Sequence, residues 1–141
     1  MLFRSIKDAV HPGPVGQTVM AASIIADMVK KTQVSQIVIE ATPGAPKSIG
    51  ASAKVDGLTL ADGKLTFTAL ENALPWVLPP DAAEGYALSK AGHRFSMEKV
   101  TVRNLKPGKY EMKIDGQAVG QWMDGQLALG VELEEIGRAH V

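Results

Sequence analysis

Asp8-Ala9-Val10-His11-Pro12-Gly13-Pro14-Val15-Gly16-Gln17-Thr18-Val19-Met20-Ala21-Ala22 is the stretch on which the reading of this chain turns. Its first half cannot be regular structure, because Pro12-Gly13 interrupts any helix. Residues 1 to 13 therefore read as a loop, with Leu2-Phe3 and Ile6 as its few apolar anchors. Pro14 is suited to be a first helical residue, where its fixed φ and missing N–H do no harm. From Val15 to Lys31 the apolar residues recur at helical spacing. Val15, Val19, Ala22 and Ala26 form one stripe, and Met20, Ile24, Ile25 and Met28 widen it well past one face. Lys30 and Lys31 suit the negative end of the helix dipole. A helix apolar over so much of its circumference needs cover on two sides. In a layered α/β protein that cover is a parallel sheet and a neighbouring helix. The residues downstream offer one cover at best.

Beyond the helix the period changes from 3.6 to 2. Val34 to Ala41 reads as a strand with Ile37, Ile39 and Ala41 on one face. Thr42-Pro43-Gly44-Ala45-Pro46 is a turn-rich break. Strands are expected at about 51 to 60 and 64 to 70, joined by the hairpin dipeptide Asp62-Gly63. Leu65, Phe67 and Ala69 then face one way, and Thr66 and Thr68 the other. Leu74-Pro75-Trp76-Val77-Leu78-Pro79-Pro80 cannot be a central strand, since its prolines lack ladder donors, and reads as an ordered loop packed by Trp76. Residues 81 to 91 are open between short helix and loop. Val100, Val102 and Leu105 lead to the turn Lys106-Pro107-Gly108-Lys109. Tyr110, Met112 and Ile114 alternate up to a second turn, Asp115-Gly116. Ala118, Val119 and Trp122 return, and a helical turn near 124 to 129 precedes a strand from Val131 to Leu133. The expectation is α+β: one helix, then a mainly antiparallel β module.

Composition narrows the function classes. In 141 residues, fifteen Lys and Arg balance fifteen Asp and Glu, so no electrostatic footprint for nucleic acid or an anionic membrane exists. No apolar run approaches the roughly 20 residues that span a bilayer. There is no Cys, which removes disulfide and thiolate chemistry but leaves the compartment open. Met1-Leu2-Phe3-Arg4 leads into no apolar segment of signal-peptide type. Three scattered His give no metal-ligand spacing, so neither metal nor cofactor is expected.

Asp8 and His11 carry the candidate chemistry. A Ser hydroxyl is a poor nucleophile until a base takes its proton. His does so near neutral pH, and an acid on its far ring nitrogen fixes the tautomer and stabilises the imidazolium. An Asp three residues earlier in a tight loop can reach that nitrogen, and Pro12 with the following helix would hold the loop. Asp-x-x-His recurs by chance in many chains, where both residues are simply solvated. Here the setting adds weight. Asp8-Ala9-Val10-His11-Pro12, followed by Gly13, Gly16 and Met20-Ala21-Ala22, resembles the ending of SGNH (GDSL-type) hydrolases. In that family Asp-Gly-Val-His-Pro runs into an Ala-rich final helix. Asp8 and His11 match its acid and base, and Ala9 stands where Gly is commoner.

The resemblance extends to a β-rich extension found after the last helix in some bacterial SGNH hydrolases. Ala73-Leu74-Pro75, Gly108-Lys109-Tyr110, Ile114-Asp115-Gly116 and Gly130-Val131-Glu132-Leu133 look like its series of short motifs. The family implies a flavodoxin-like α/β domain and hydrolysis of carboxylic esters, acetyl groups on carbohydrate among them. The Gly-Asp-Ser nucleophile block and the Gly and Asn oxyanion donors are not in this sequence. Ser5 lies in no such setting and too near Asp8, and receives no role. The chain is therefore expected to be the C-terminal piece of an esterase, which without its Ser should be inactive alone. On this reading residues 1–32 close the catalytic domain and 33–135 form the β module. Residues 136–141, Ile136-Gly137-Arg138-Ala139-His140-Val141, match one translation frame of a sequencing-adapter oligonucleotide and are expected to be a foreign tail. The expected partner is a small-molecule or carbohydrate ester bound jointly with the missing part, with no nucleic acid and no membrane. A longer parent would be secreted or periplasmic as readily as not.

Two other readings stand beside it. The chain is alternatively a non-catalytic β module for carbohydrate or protein interaction, with Trp76, Tyr86, Tyr110 and Trp122 as a stacking platform, although two Trp in a small β module are more often core. Or it is a structural extension that caps the parent's active-site edge. His93, alone after Ala91-Gly92, reads as a solvated loop residue.

Overall fold

The structure, a computed structural model, describes residues 10–29 and 33–133. Asp8, Ser5, Lys30, Lys31 and the 136–141 tail lie outside the described residues. The fold is α+β. Helix α1 spans Pro14–Met28, with Pro14 at its first position after the N-cap Gly13, and ends at Val29, whose N–H bonds the Ile25 carbonyl. Strand β1, Gln33–Glu40, buries Ser35, Ile37 and Ile39 at every second position. That is the alternation expected of a strand with one covered face.

β1 is joined at one edge by β2 (Lys47–Ala51), antiparallel. On its other side lies β5 (Met97–Arg103), and here the pairing is parallel, with Ile37 opposite Val100 and Ile39 opposite Val102. The two-residue β8 (Val131–Glu132) closes the sheet antiparallel to β5, giving the order β2-β1-β5-β8. The module is mainly antiparallel, as expected, with a single parallel pairing at the centre of its sheet. Parallel neighbours require a crossover connection. It is supplied by β2, a hairpin, a loop and two helices, none of which marks its ends as sheet neighbours in the sequence.

The hairpin in that crossover is β3 (Ala53–Ala61) with β4 (Lys64–Glu71), within two residues of the strands expected at 51 to 60 and 64 to 70. Asp62 and Gly63 both have positive φ, 51° and 73°. That is the backbone of a type I′ turn, whose twist suits a two-residue hairpin. β6 (Lys109–Ile114) and β7 (Gln117–Met123) repeat the device with Asp115-Gly116 at φ 50° and 82°. The chain then makes α4 (Asp124–Leu129). The open region 81–91 is helical: a 3₁₀ turn at Pro80–Ala82, α2 (Ala83–Ser89), and α3 (Ala91–Phe95). Lys90, at φ 51°, breaks the two helices apart.

Two apolar clusters result. The larger lies on the sheet: Ile37, Ile39, Ala41, Val100, Val102, Leu127 and Val131, with the half-buried inner faces of both hairpins packed on it. The smaller lies among the helices, where Ala22 of α1, Tyr86 of α2 and Ala91 of α3 are buried beneath Trp76, Leu78 and Phe95. Small residues there allow close approach. A Cβ added to Gly85 would sit 2.4 Å from the Val15 carbonyl oxygen, so α2 lies directly on the backbone of α1.

Candidate functional site

The geometry of α1 decides what surrounds His11. Thr18 and Ala22, one turn apart, are its buried residues and face α2. The Thr18 hydroxyl is turned inward and donates to the Pro14 carbonyl at 2.8 Å. Met20, Ile24 and Met28, also spaced by four, lie about 200°, 240° and 280° around the helix from Thr18 by simple helical geometry. They are 57, 59 and 76% exposed. One face of this apolar helix is therefore covered and the opposite one is open among the described residues. His11 is exposed and sits just ahead of the Pro12-Gly13-Pro14 start of the helix. Asp8, its expected partner, is outside the described residues, so the pairing of the two is not visible here.

Beside the first turns of α1 runs a groove of about 230 Å³. Pro14, Gln17 and Ala21 form its helical wall, and Trp76, Leu78 and Ala82 the opposite one. The Trp76 wall is fixed from behind. The Trp76 ring packs obliquely on Tyr86 (centroids 6.2 Å apart) and edgewise on Phe95 (6.4 Å). Its backbone N–H donates to the hydroxyl of Ser96 at 2.7 Å, and Ser96 is wholly buried. A hydroxyl there satisfies a loop N–H that would otherwise be unpaired at a cost of about 1 to 3 kcal/mol. The sequence pointed to Trp76 as a packing residue. It gave no sign of Gln17, Ala21 or Ala82 as groove residues, since they become neighbours of Trp76 only when α1 docks on α2.

The aromatic platform of the alternative reading does not assemble from both tryptophans. Trp76 belongs to the helical cluster, whereas Trp122 packs on the sheet cluster with its ring over Gly120. His93 is also placed differently from expectation. It lies on α3 and its Nδ1 is 2.8 Å from a carboxylate oxygen of Glu132. The His93 side of the pair is largely exposed and the Glu132 side half-buried, a setting in which such contacts contribute modestly to stability. Glu98 on β5 has its carboxyl pushed above the usual range, first by burial and then by the nearby charge of Glu71. Among the described residues no three His, Asp or Glu side chains gather as a metal site, and no helix is long and apolar enough to cross a membrane.

No protein-family model matches the chain, and no curated protein does. A solved structure described as a gut microbial diltiazem-metabolizing enzyme is similar to it, with a TM-score of 0.75 at 24% sequence identity. The match covers 91% of this chain and 31% of that one. The chain thus spans about a third of the length of the structure it resembles, and what the likeness establishes is that the two share a fold.

Proposed function

We propose that this chain is the C-terminal part of a serine esterase of the SGNH type, with Asp8 and His11 as the acid and base of its triad. The observation that carries the reading is the half-covered helix. His11 stands at the head of α1, whose Met20, Ile24 and Met28 face is apolar and open. A face of that kind fits the missing sheet of a layered α/β domain. The shared fold supports it too, since the similar chain is an enzyme that metabolizes diltiazem and is about three times as long.

In the proposed reaction a Ser from the missing part attacks the carbonyl carbon of a carboxylic ester. His11 takes the Ser proton and passes it to the departing alcohol oxygen, leaving an acyl-enzyme. Water then attacks with His11 again as base, and the acid is released. Asp8 accepts a hydrogen bond from the other ring nitrogen of His11 throughout. Each absent oxyanion donor would cost about 3 to 4 kcal/mol of transition-state stabilisation. The chain by itself is accordingly expected to leave p-nitrophenyl acetate unhydrolysed.

The test is to read the source DNA upstream of the Met1 codon. An in-frame Gly-Asp-Ser block followed by Gly and Asn blocks is expected. The joined protein should then hydrolyse p-nitrophenyl acetate, and His11→Ala should reduce kcat by about 10³-fold or more. A start codon bounded upstream by stops, or ester turnover by the isolated chain, overturns the reading. The alternative of a sugar-stacking module is weakened by the separation of Trp76 from Trp122 into different clusters.

A further inference from the structure

Resting on the esterase reading, we propose that the groove between α1 and the Trp76 loop is a subsite for an apolar, single-ring portion of the ester, so that the substrate is an aryl-type ester rather than a sugar acetate. Its size comes first. A cavity of about 150 Å³ is enough to hold benzene, whereas whole drug-sized ligands need about 300 to 1,000 Å³. At about 230 Å³ the groove has room for one ring and a short substituent, and is part of a site rather than all of one.

Its chemistry comes second. The walls are an indole, two prolines, a leucine and alanines, which favour an apolar guest. Two polar side chains line it, Gln17 and Thr18, and the Thr18 hydroxyl already donates within the helix. A sugar ring would bring several hydroxyls to this surface and find one side-chain amide to receive them, while its polar edge gains nothing from the apolar walls. The flat face of an aromatic ring loses nothing of that kind against Trp76, and ring pairs gain beyond their area.

Its position comes third. Pro14 lines the groove and is three residues from His11, a span of at most about 11 Å of extended chain. A ring seated against Trp76 therefore lies on the same helix end as the proposed base. The anchoring of Trp76 by Ser96, Tyr86 and Phe95 makes this wall preformed, which lowers the ordering cost of binding.

The experiment is an NMR titration of the 141-residue chain with acetanilide, an amide that an esterase would not consume, against N-acetylglucosamine. Acetanilide should shift the indole N–H of Trp76 and the side-chain amide of Gln17 saturably, with a Kd on the order of millimolar. N-acetylglucosamine should leave both unmoved. Ala21→Leu, which fills the groove from a half-exposed helical position, should weaken acetanilide about tenfold or more. The rest of its spectrum should be unchanged. Absence of saturable shifts, shifts centred elsewhere, equal binding of the sugar, or undiminished binding by Ala21→Leu would each overturn the proposal. None of these outcomes bears on whether a Gly-Asp-Ser block lies upstream, so the subsite and the esterase reading can fail separately.

Discussion

Helix α1 and strand β1 follow one another in the chain and treat their apolar side chains differently. β1 buries Ile37 and Ile39 to 3% and 0% exposure between two neighbouring strands and beneath two hairpins. α1 has fifteen residues and buries two, Thr18 and Ala22, while three large apolar side chains on the far face stay open. The strand's pattern is satisfied by residues of this chain. Among the described residues the helix's pattern is satisfied on one side only. The difference teaches that an apolar pattern wider than the face a helix buries leaves large side chains open, whereas a period-two pattern on a paired strand does not.

The comparison can be broken most forcefully on the strand side. Ile39→Ala should cost about 2 to 5 kcal/mol in urea unfolding, as a wholly buried branched side chain replaced by a cavity. A loss below about 1 kcal/mol would mean the sheet cluster is not the core. On the covered side of α1, Gly85→Ala should cost about 1 to 3 kcal/mol, because the new methyl meets a backbone oxygen that cannot turn aside. Trp76 fluorescence should change with it as α1 lifts from α2, and an unaltered midpoint would argue that the helices do not touch.

Glu98 tests whether the strand side is satisfied electrostatically as well. Its raised pKa means that the folded chain binds a proton more readily than the unfolded one. The stability this contributes is present below the ordinary carboxylate pKa and is lost as pH rises through the elevated one. Glu98→Gln should therefore raise the unfolding midpoint at pH 7 and leave it little changed at pH 3. A lowered midpoint at pH 7 would mean that the carboxylate has a stabilising partner. The smallest effect belongs to the open face. Met20→Glu, Ile24→Lys and Met28→Glu should each change stability by about 0.5 kcal/mol or less. A cost of about 2 kcal/mol at any of them would show that the face is covered in solution.

Local signals were legible and non-local ones were not. Asp62-Gly63 and Asp115-Gly116 announce their turns because only residues tolerant of positive φ serve there. Pro14 announces the start of α1, and Ile37, Ile39 and Ala41 announce the buried face of β1. The parallel pairing of β1 with β5 has no such mark, since each strand reads the same whichever neighbour it takes. Lys47–Ala51 was not separated as a strand because Lys-Ser-Ile-Gly-Ala has no alternation to detect. At the candidate site the change from loop to helix at Pro12-Gly13-Pro14, which puts His11 at the head of α1, was legible. The groove was not, because its two walls come from segments some sixty residues apart.

The parallel centre of the sheet also sets the order in which the molecule can assemble. About sixty residues separate the paired positions of β1 and β5, against two in each hairpin turn. Closing a loop of that length costs about 3.5 kcal/mol of chain entropy before any contact forms, and the hairpins face almost none of it. The two hairpins are thus the early units and the union of β1 with β5 the late one. In pulse-labelled hydrogen exchange during refolding, amides of β3–β4 and β6–β7 should gain protection before those of Val38 and Thr101. The Trp76 segment lies inside that long crossover, so one wall of the groove is carried by the very stretch of chain whose ends meet late.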